Sequence, residues 1–378
     1  MRLAFNFVFS FNSFPPNCGI AHYEYALIQS LLEHSDYEIY GFGFSPMKEV
    51  FKEYKKFTFI PIDSYFEKFS FTAESFNYFL NVILPVLIKR YNITIYHGIG
   101  NYDIPMGTCS SKLVLSLHDI IPYTSPDIFS WKIKGAEARK FYYHYQMKGA
   151  YKHADVIICS SNYTKKEILR YLPKRDLKVI YIPPYLVDFE KQRKYTFPYI
   201  ICTSGISSRK NIESVIDSFA QFHKRHTEYH LVITGRINEE KVYYENLTNQ
   251  VRQLHLEKNI IFTGLIKRDK LLSMLAGASA MLLLSKNEGY SYPLVEAILF
   301  GIPSVIANVT SLPEIAEKAA ILVDPNDTDK IAYQLHKVIF DKDVRISLKN
   351  EIKNRKHRFL DDLFIKKMKA IYENLVKK

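Results

Sequence analysis

The sequence predicts an α/β protein made of two doubly wound domains, each with a mostly parallel sheet covered by helices on both faces. Three observations carry that expectation. The chain has 378 residues, too long for one ordinary domain and suited to two. Short apolar runs alternate with helical periods along its length. The alternation breaks once, at Pro183-Pro184 and the polar run through Lys194 to Pro198, and then restarts.

In the first half, strands are expected at Leu3 to Phe9, Glu38 to Phe44, Phe57 to Ile62, Ile93 to His97, Lys112 to Leu117, Val156 to Cys159 and Lys178 to Ile182. Helices are expected at about Ile20 to Glu33, Glu74 to Arg90, Trp131 to Tyr151 and from Thr164. The second half repeats the pattern. Its strands are read at Tyr199 to Thr203, His230 to Thr234, Ile260 to Thr263, Ala280 to Leu284, Ser304 to Ala307 and Ala320 to Val323. Helices are read from about Asn211, Glu239, Asp269, Leu312, Thr328 and Val344, with one more inside Ser285 to Ala307. Both halves are thus Rossmann-like, with domains at 1–190 and 195–357. In open α/β sheets ligands bind beyond the carboxyl ends of the strands, so two such domains are expected to face each other across a cleft.

Bulk composition narrows the function. A content of 47% hydrophobic and 24% charged residues is that of a globular protein with material for two cores. The formal charge of +12, from 51 Lys and Arg against 39 Asp and Glu, attracts nucleic acid, anionic lipid or phosphorylated substrates without choosing among them. Part of the excess lies in the tail from Lys349 to Lys378, read as a solvated helix face or a contact with an anionic membrane surface. Cys18, Cys109, Cys159 and Cys202 form no C-x-x-C pair, so neither zinc nor a disulfide framework is indicated and a reducing cytoplasm fits. The opening MRLAFNFVFSF is interrupted by Asn6 and reads as a buried first strand, not a signal peptide.

Chemistry-bearing residues gather at predicted strand ends. Glu288 and Glu296 lie eight residues apart, one in the turn ahead of a helix and one about a turn inside it, where backbone donors favour an anion. Exposed helix glutamates are common, so the spacing by itself is weak. The loop Thr203 to Asn211 carries Gly205 and brings Arg209 and Lys210 to a helix start. Cations there oppose the dipole, and a bound phosphate supplies the reason for them; Arg236, after another strand end, would join that edge. His118-Asp119 ends the strand Val114 to Leu117, where the imidazole either hydrogen-bonds a hydroxyl or forming charge or is a satisfied structural histidine. Gly19, after Cys18, opens the first helix and allows a ligand close to the backbone, but no G-x-G-x-x-G supports a dinucleotide site. Asp327-Thr328-Asp329 is read as a helix cap, not a metal site.

In this order and spacing the residues resemble the family 4 retaining glycosyltransferases, glycosyl transferases group 1, which have the two-domain GT-B fold. The resemblance covers most of the chain and is densest from Tyr199 to Pro325. The family's E-x7-E motif is similar at Glu288 and Glu296, with Pro293, Ala297, Gly301 and Pro303 around it. Ser311-Leu312-Pro313-Glu314-Ile315 through Asp324-Pro325 looks like its continuation. Gly205 with Arg209-Lys210-Asn211 resembles the diphosphate loop, His118-Asp119 the first-domain histidine, and Gly19-Ile20-Ala21 the first glycine loop.

The resemblance implies that Glu288 contacts the donor sugar hydroxyls, Glu296 the ribose hydroxyls, and Arg209 and Lys210 the diphosphate, with His118 near the donor sugar and the acceptor near Gly19. It implies transfer of a hexose, mannose among the candidates, from a nucleotide sugar to a glycan or lipid-linked acceptor in surface-polysaccharide synthesis. Configuration is retained, and neither metal nor cofactor is used. A cytoplasmic enzyme, peripheral on the inner face of the membrane, is expected, with a C-terminal helix at about 358–378 packing back on the first domain. The chain departs from the family's frequent E-G-F-G-L-P, reading Glu288-Gly289-Tyr290-Ser291-Tyr292-Pro293, which changes backbone freedom and bulk beside the donor sugar. Two other readings are weighed. A nucleotide-sugar epimerase of the same architecture lacks a reason for the E-x7-E stretch and its continuation. A nucleic-acid-binding protein rests on charge alone, so no nucleic-acid partner is expected.

Overall fold

The computed structural model describes residues 1–7, 19–66, 73–124, 136–187, 195–237 and 240–377. The chain divides into two units, Met1–Tyr185 with Leu360–Lys378, and Leu186–Phe359.

The sheet of the first unit has seven strands: β1 (Arg2–Asn6), β2 (Glu38–Gly43), β3 (Phe57–Pro61), β4 (Ile95–Gly98), β5 (Lys112–Leu117), β6 (Val156–Cys159) and β7 (Lys178–Val179). Their order is β3-β2-β1-β4-β5-β6-β7, and every paired neighbour is parallel. Leu3, Ala4 and Phe5 in β1 and Val114 and Leu115 in β5 are fully buried, as continuous apolar runs must be in a sheet covered on both faces. The strand order reverses between β1 and β4, which places the ligand crevice of this topology at their carboxyl ends.

Two elements depart from expectation for local reasons. The helix expected at Glu74 to Arg90 comes in three pieces, Ala73–Tyr78, a π-helical turn Phe79–Ile83 and Leu84–Arg90. Pro85 has no N–H to donate, and the wider turn ahead of it absorbs that loss. The last strand stops at Val179 instead of Ile182, because its partner β6 ends at Cys159 and Pro183 follows shortly. The start of the helix expected from Trp131 lies outside the described residues, which resume with the helix Ala136–His153.

The helix Asp361–Lys377 belongs to the first unit and buries Phe364, Ile365, Met368, Tyr372 and Leu375. These are the apolar residues that a membrane contact through the basic tail would have used. They are core residues, and Lys366, Lys367 and Lys377 beside them stay exposed, whereas Arg355 earlier in the tail is buried and donates to Ile315 O, Glu314 O and Glu317 Oε1.

The second unit has six parallel strands: β8 (Tyr199–Thr203), β9 (His230–Thr234), β10 (Ile260–Phe262), β11 (Ala280–Leu283), β12 (Ser304–Ala307) and β13 (Ile321–Val323). The order β10-β9-β8-β11-β12-β13 reverses between β8 and β11. Asp327 caps the helix Thr328–Phe340, its Oδ1 accepting from Lys330 N at 3.0 Å.

Candidate active site

The chain leaving β8 crosses Ser204 to Ser207, makes one 3₁₀ turn at Ser208–Lys210, and reaches Asn211 at φ 55° as the cap of the helix Ile212–His223. Asparagine is among the few residues that take this left-handed backbone without much cost. Arg209 and Lys210 therefore precede the helix cap and turn toward the loop after β11. Arg209 Nη1 donates to Asn287 O at 2.5 Å and to Glu288 Oε2 at 3.1 Å, and Lys210 Nζ donates to Glu288 Oε1 at 2.6 Å. Residues separated by some 80 positions in sequence thus meet at the point where the strand order reverses.

The electrostatics of this cluster follow from its burial. Glu288 is 8% exposed; burial would raise its carboxyl, yet the Lys210 and Arg209 cations hold it below the usual carboxylate range. Burial pushes the Lys210 ammonium down, against the pull of Glu288. One carboxylate faces two cations, so the trio carries a surplus positive charge that a diphosphate is suited to neutralise.

The loop that carries Glu288 is held in place by the turn after β12. Ser311 Oγ donates to Glu288 O at 2.8 Å and to Tyr290 O at 3.2 Å, and Glu288 N donates to Thr310 Oγ1 at 3.1 Å. Thr310 sits at φ 55°, a conformation that a β-branched residue adopts only when its surroundings hold it there. Ser291 then stands at the N-terminal cap position of the helix Tyr292–Phe300 without a side-chain capping bond, with Pro293 in the first turn and Gly301 at φ 76° ending the helix. At φ −174° Ser291 is simply extended, so the serine that stands where the family often has glycine causes no strain. Its hydroxyl is buried and meets no hydrogen-bond partner among the described residues. Tyr290 and Tyr292 pack edge to face at 5.5 Å beside it, and Gly289 is buried in the same loop.

Glu296 lies one turn into that helix, 2% exposed, with Oε1 accepting from Arg268 Nη2 at 2.5 Å. Arg268, itself 6% exposed, was not singled out from the sequence. The signal that marked Arg209 and Lys210, cations at the start of a helix, is present at Lys267-Arg268 as well, because Arg268 opens the helix Arg268–Gly277.

Gly205 and Arg236 adjoin the same strand ends. Ile206 N donates to Arg236 O at 3.1 Å and Ser204 N to Thr234 O at 3.2 Å, which extends the β8–β9 ladder into the two loops. A side chain at Gly205 would project into open space, so the backbone there does not require glycine. It is required at Gly235, where φ is +135° and a Cβ would lie 2.1 Å from the Ser204 carbonyl. Arg236 is exposed at this edge.

His118 and Gly19 belong to the first unit. The chain after β5 places His118 Nε2 at 2.7 Å from Ile99 O and His118 N at 2.8 Å from Asn101 Oδ1. The ring donor is thereby assigned to Nε2, and Nδ1 is left as an acceptor. Burial pushes this imidazole down to about 4, so it is neutral near pH 7 and suited to accept from a hydroxyl, not to stabilise a negative charge by its own charge. Tyr23, one turn after exposed Gly19 in the helix Gly19–His34, packs edge-on against it at 5.0 Å. Asp119 Oδ1 accepts from Ile121 N at 3.1 Å and so caps the next turn. Cys18 and the turn before Gly19 lie outside the described residues.

Beneath His118, the buried Asp103 accepts from Ile99 N, Gly100 N and Asn6 Nδ2 at 2.8 to 3.0 Å. It thereby holds the loop that supplies both of the His118 contacts. Neither Asp103 nor Asn101 was legible as a support, because their partners are set by sheet topology.

Residues 187–355 match the family described as glycosyl transferases group 1. The chain is 26% identical over 260 residues to O-antigen chain mannosyltransferase B of Escherichia coli, covering 65% of each. It is 24% identical over 274 residues to the serotype-specific mannosyltransferase WbdA of Escherichia coli, covering 67% of this chain and 32% of that one. The matched region thus spans less than two thirds of either relative's length. Anabaena HepE, solved in complex with UDP-glucose, superposes with a TM-score of 0.73 at 17% identity, over 99% of this chain and all of that one. Likeness of this extent shows the fold, which is of the GT-B type.

Proposed function

We propose that this protein is a retaining glycosyltransferase that moves a hexose from a nucleotide-diphosphate sugar to a glycan or lipid-linked acceptor in surface-polysaccharide synthesis. The observation that carries the reading is the meeting of the half-buried Arg209 and Lys210 with the buried Glu288 at the strand reversal of the second unit. The family match over 187–355 covers the same residues, and the two mannosyltransferase relatives favour mannose as the hexose.

In this reading the diphosphate lies against Arg209 and Lys210 and the first-turn N–H groups of the helix Tyr292–Phe300, the positive end of its dipole. As the bond from the anomeric carbon to the diphosphate breaks, charge grows on the leaving oxygen, and these groups stabilise it without a divalent metal. The acceptor hydroxyl bonds the anomeric carbon on the same face, and its proton passes to the departing diphosphate. Glu288, kept ionised by its two cations, accepts from donor sugar hydroxyls; Glu296, oriented by Arg268, takes the ribose. Gly289, Tyr290, Ser291 and Tyr292 line the sugar, Gly205 leaves room for it, and Arg236 adds charge at the edge. His118 accepts from a sugar hydroxyl through Nδ1, with the acceptor entering near Gly19. The enzyme works in the cytoplasm, at the inner face of the membrane.

The test is a panel of UDP-, GDP- and ADP-sugars assayed for nucleoside diphosphate release, with and without a chelator. Release from one donor, unchanged by chelation, is expected. No release from any donor would remove the function, and release abolished by chelation would remove the metal-free mechanism.

A further inference from the structure

Two neighbouring helices of the first unit expose apolar side chains that the fold leaves uncovered. On the segment 73–90 these are Tyr78, Val82 and Val86, at 51%, 45% and 62% exposure. On the helix Ala136–His153 they are Phe141 and Tyr145, at 74% and 58%. Spacing of four residues sets each group in one row along its helix. Each row then ends in two exposed cations, Lys89 and Arg90 on the first, Lys148 and Lys152 on the second.

The two rows belong to one surface. Gln146 Nε2 donates to Asn77 Oδ1 at 2.8 Å, and the Tyr102 ring meets Phe76 at 6.5 Å and Tyr143 at 5.6 Å. Further along, Met106 N donates to Asn81 Oδ1 at 2.8 Å while its side chain lies against Gly149. The helices therefore run side by side in the same direction, with their buried faces in a common core and their exposed rows outward. From Ser75 to Arg90 and from Lys140 to His153 the sequence contains no Asp or Glu.

We infer that this surface docks on an anionic lipid bilayer. Aromatic and branched aliphatic side chains enter the boundary of headgroups and acyl chains, while flanking lysine and arginine reach lipid phosphates. A second copy of the chain fits poorly, because a two-fold contact would oppose like charges along rows that themselves carry no Asp or Glu. A nucleic acid would use the cations but gives exposed Val82, Val86 and Phe141 no apolar medium. The surface is distinct from the sugar-transfer residues; the inference rests on the membrane location proposed above and gives it a docking surface, and vesicle binding is read without a sugar donor, so its failure is separable from failure of the reaction.

The test is co-sedimentation of the full chain with vesicles of phosphatidylcholine alone or mixed with phosphatidylglycerol, at low and high salt. Wild type should pellet with the anionic vesicles and be released by salt. Val86→Asp/Phe141→Asp and Lys148→Glu/Lys152→Glu should each lower partition about tenfold, with unchanged thermal melting and unchanged sugar-nucleotide turnover. The inference is overturned if wild type ignores lipid charge, or if either double variant binds vesicles like wild type. It is equally overturned if the cations serve only to retain duplex DNA, or if Val86→Asp/Phe141→Asp dissolves a dimer while no vesicle binding exists.

Discussion

Glu288 is a carboxylate whose charge is maintained by its neighbours. Its pKa lies below the usual range because Lys210 and Arg209 outweigh burial, so its contribution to stability is present above the unfolded value and disappears as pH falls through the folded one. Glu288→Gln should therefore blunt the acid sensitivity of unfolding in urea. It should also reduce transfer about 10² to 10³-fold while nucleoside diphosphate binding changes little, since the amide keeps the shape and loses the ionised acceptor. The reverse kinetic pattern would put the residue in the wrong role. Glu296 presents a different case, paired with Arg268 deep in the second unit. Glu296→Ala leaves a buried guanidinium without its carboxylate and should cost about 3–5 kcal/mol in denaturant midpoint measurements. Arg268→Met in the same chain should recover part of that loss. A cost no larger than that of a surface substitution would mean the pair is not the anchor of this helix.

At the scale of elements, the C-terminal helix Asp361–Lys377 completes the first unit through a buried polar chain. Tyr372 OH lies 2.7 Å from His97 Nδ1, His97 Nε2 lies 2.8 Å from Ser116 Oγ, and Ser116 Oγ lies 2.8 Å from Tyr23 OH. Tyr372→Phe strands the imidazole nitrogen and should destabilise the first unit by about 1–3 kcal/mol. Amide exchange should show the loss in the first unit's strands, and an even loss across both units would refute it. Burial, with His118 adding to it, pushes His97 down to about 3. The unfolded chain takes up a proton near its ordinary value while the folded chain does not, so His97 and His118 withdraw stability as pH falls from about 6.5 toward 4. Asp103, raised to about 6 by burial, acts in the opposite sense over part of that range. Urea midpoints measured across it should decline, and less so in a His97→Gln variant.

Most strands were legible because covered parallel strands are uninterrupted apolar runs. Lys112–Leu117, Val156–Cys159 and Tyr199–Thr203 stand where expected to the residue. The π turn was not legible, since periodicity reads Glu74 to Arg90 as one helix and Pro85 marks only that something must yield.

At the scale of the whole molecule, the meeting of Arg209 and Lys210 with Glu288 was legible as a group of strand-end residues, and part of its support was not. Glu288, Arg209 and Lys210 are polar groups at strand ends of one sheet, and its topology brings such positions together. Thr310 and Asp103 act by contacts between loops distant in sequence, which no local pattern reports, whereas Arg268 carried the helix-start signal and was passed over. The basic tail shows the same limit, because its apolar stripe reads alike whether it faces lipid or its own core. Burial of Phe364, Met368 and Tyr372 decides for the core. Charge and apolar exposure coincide elsewhere, on the helix pair that carries Val86 and Phe141.

Arg209 and Lys210, set against Glu288, are the groups we propose as the diphosphate site. Calorimetric titration of UDP, GDP and ADP into wild type and Lys210→Ala tests it most directly, with thermal melting as the check on fold. One nucleotide should bind wild type and bind the variant at least about tenfold more weakly, the variant remaining folded. Equal affinity in the two proteins would contradict the account.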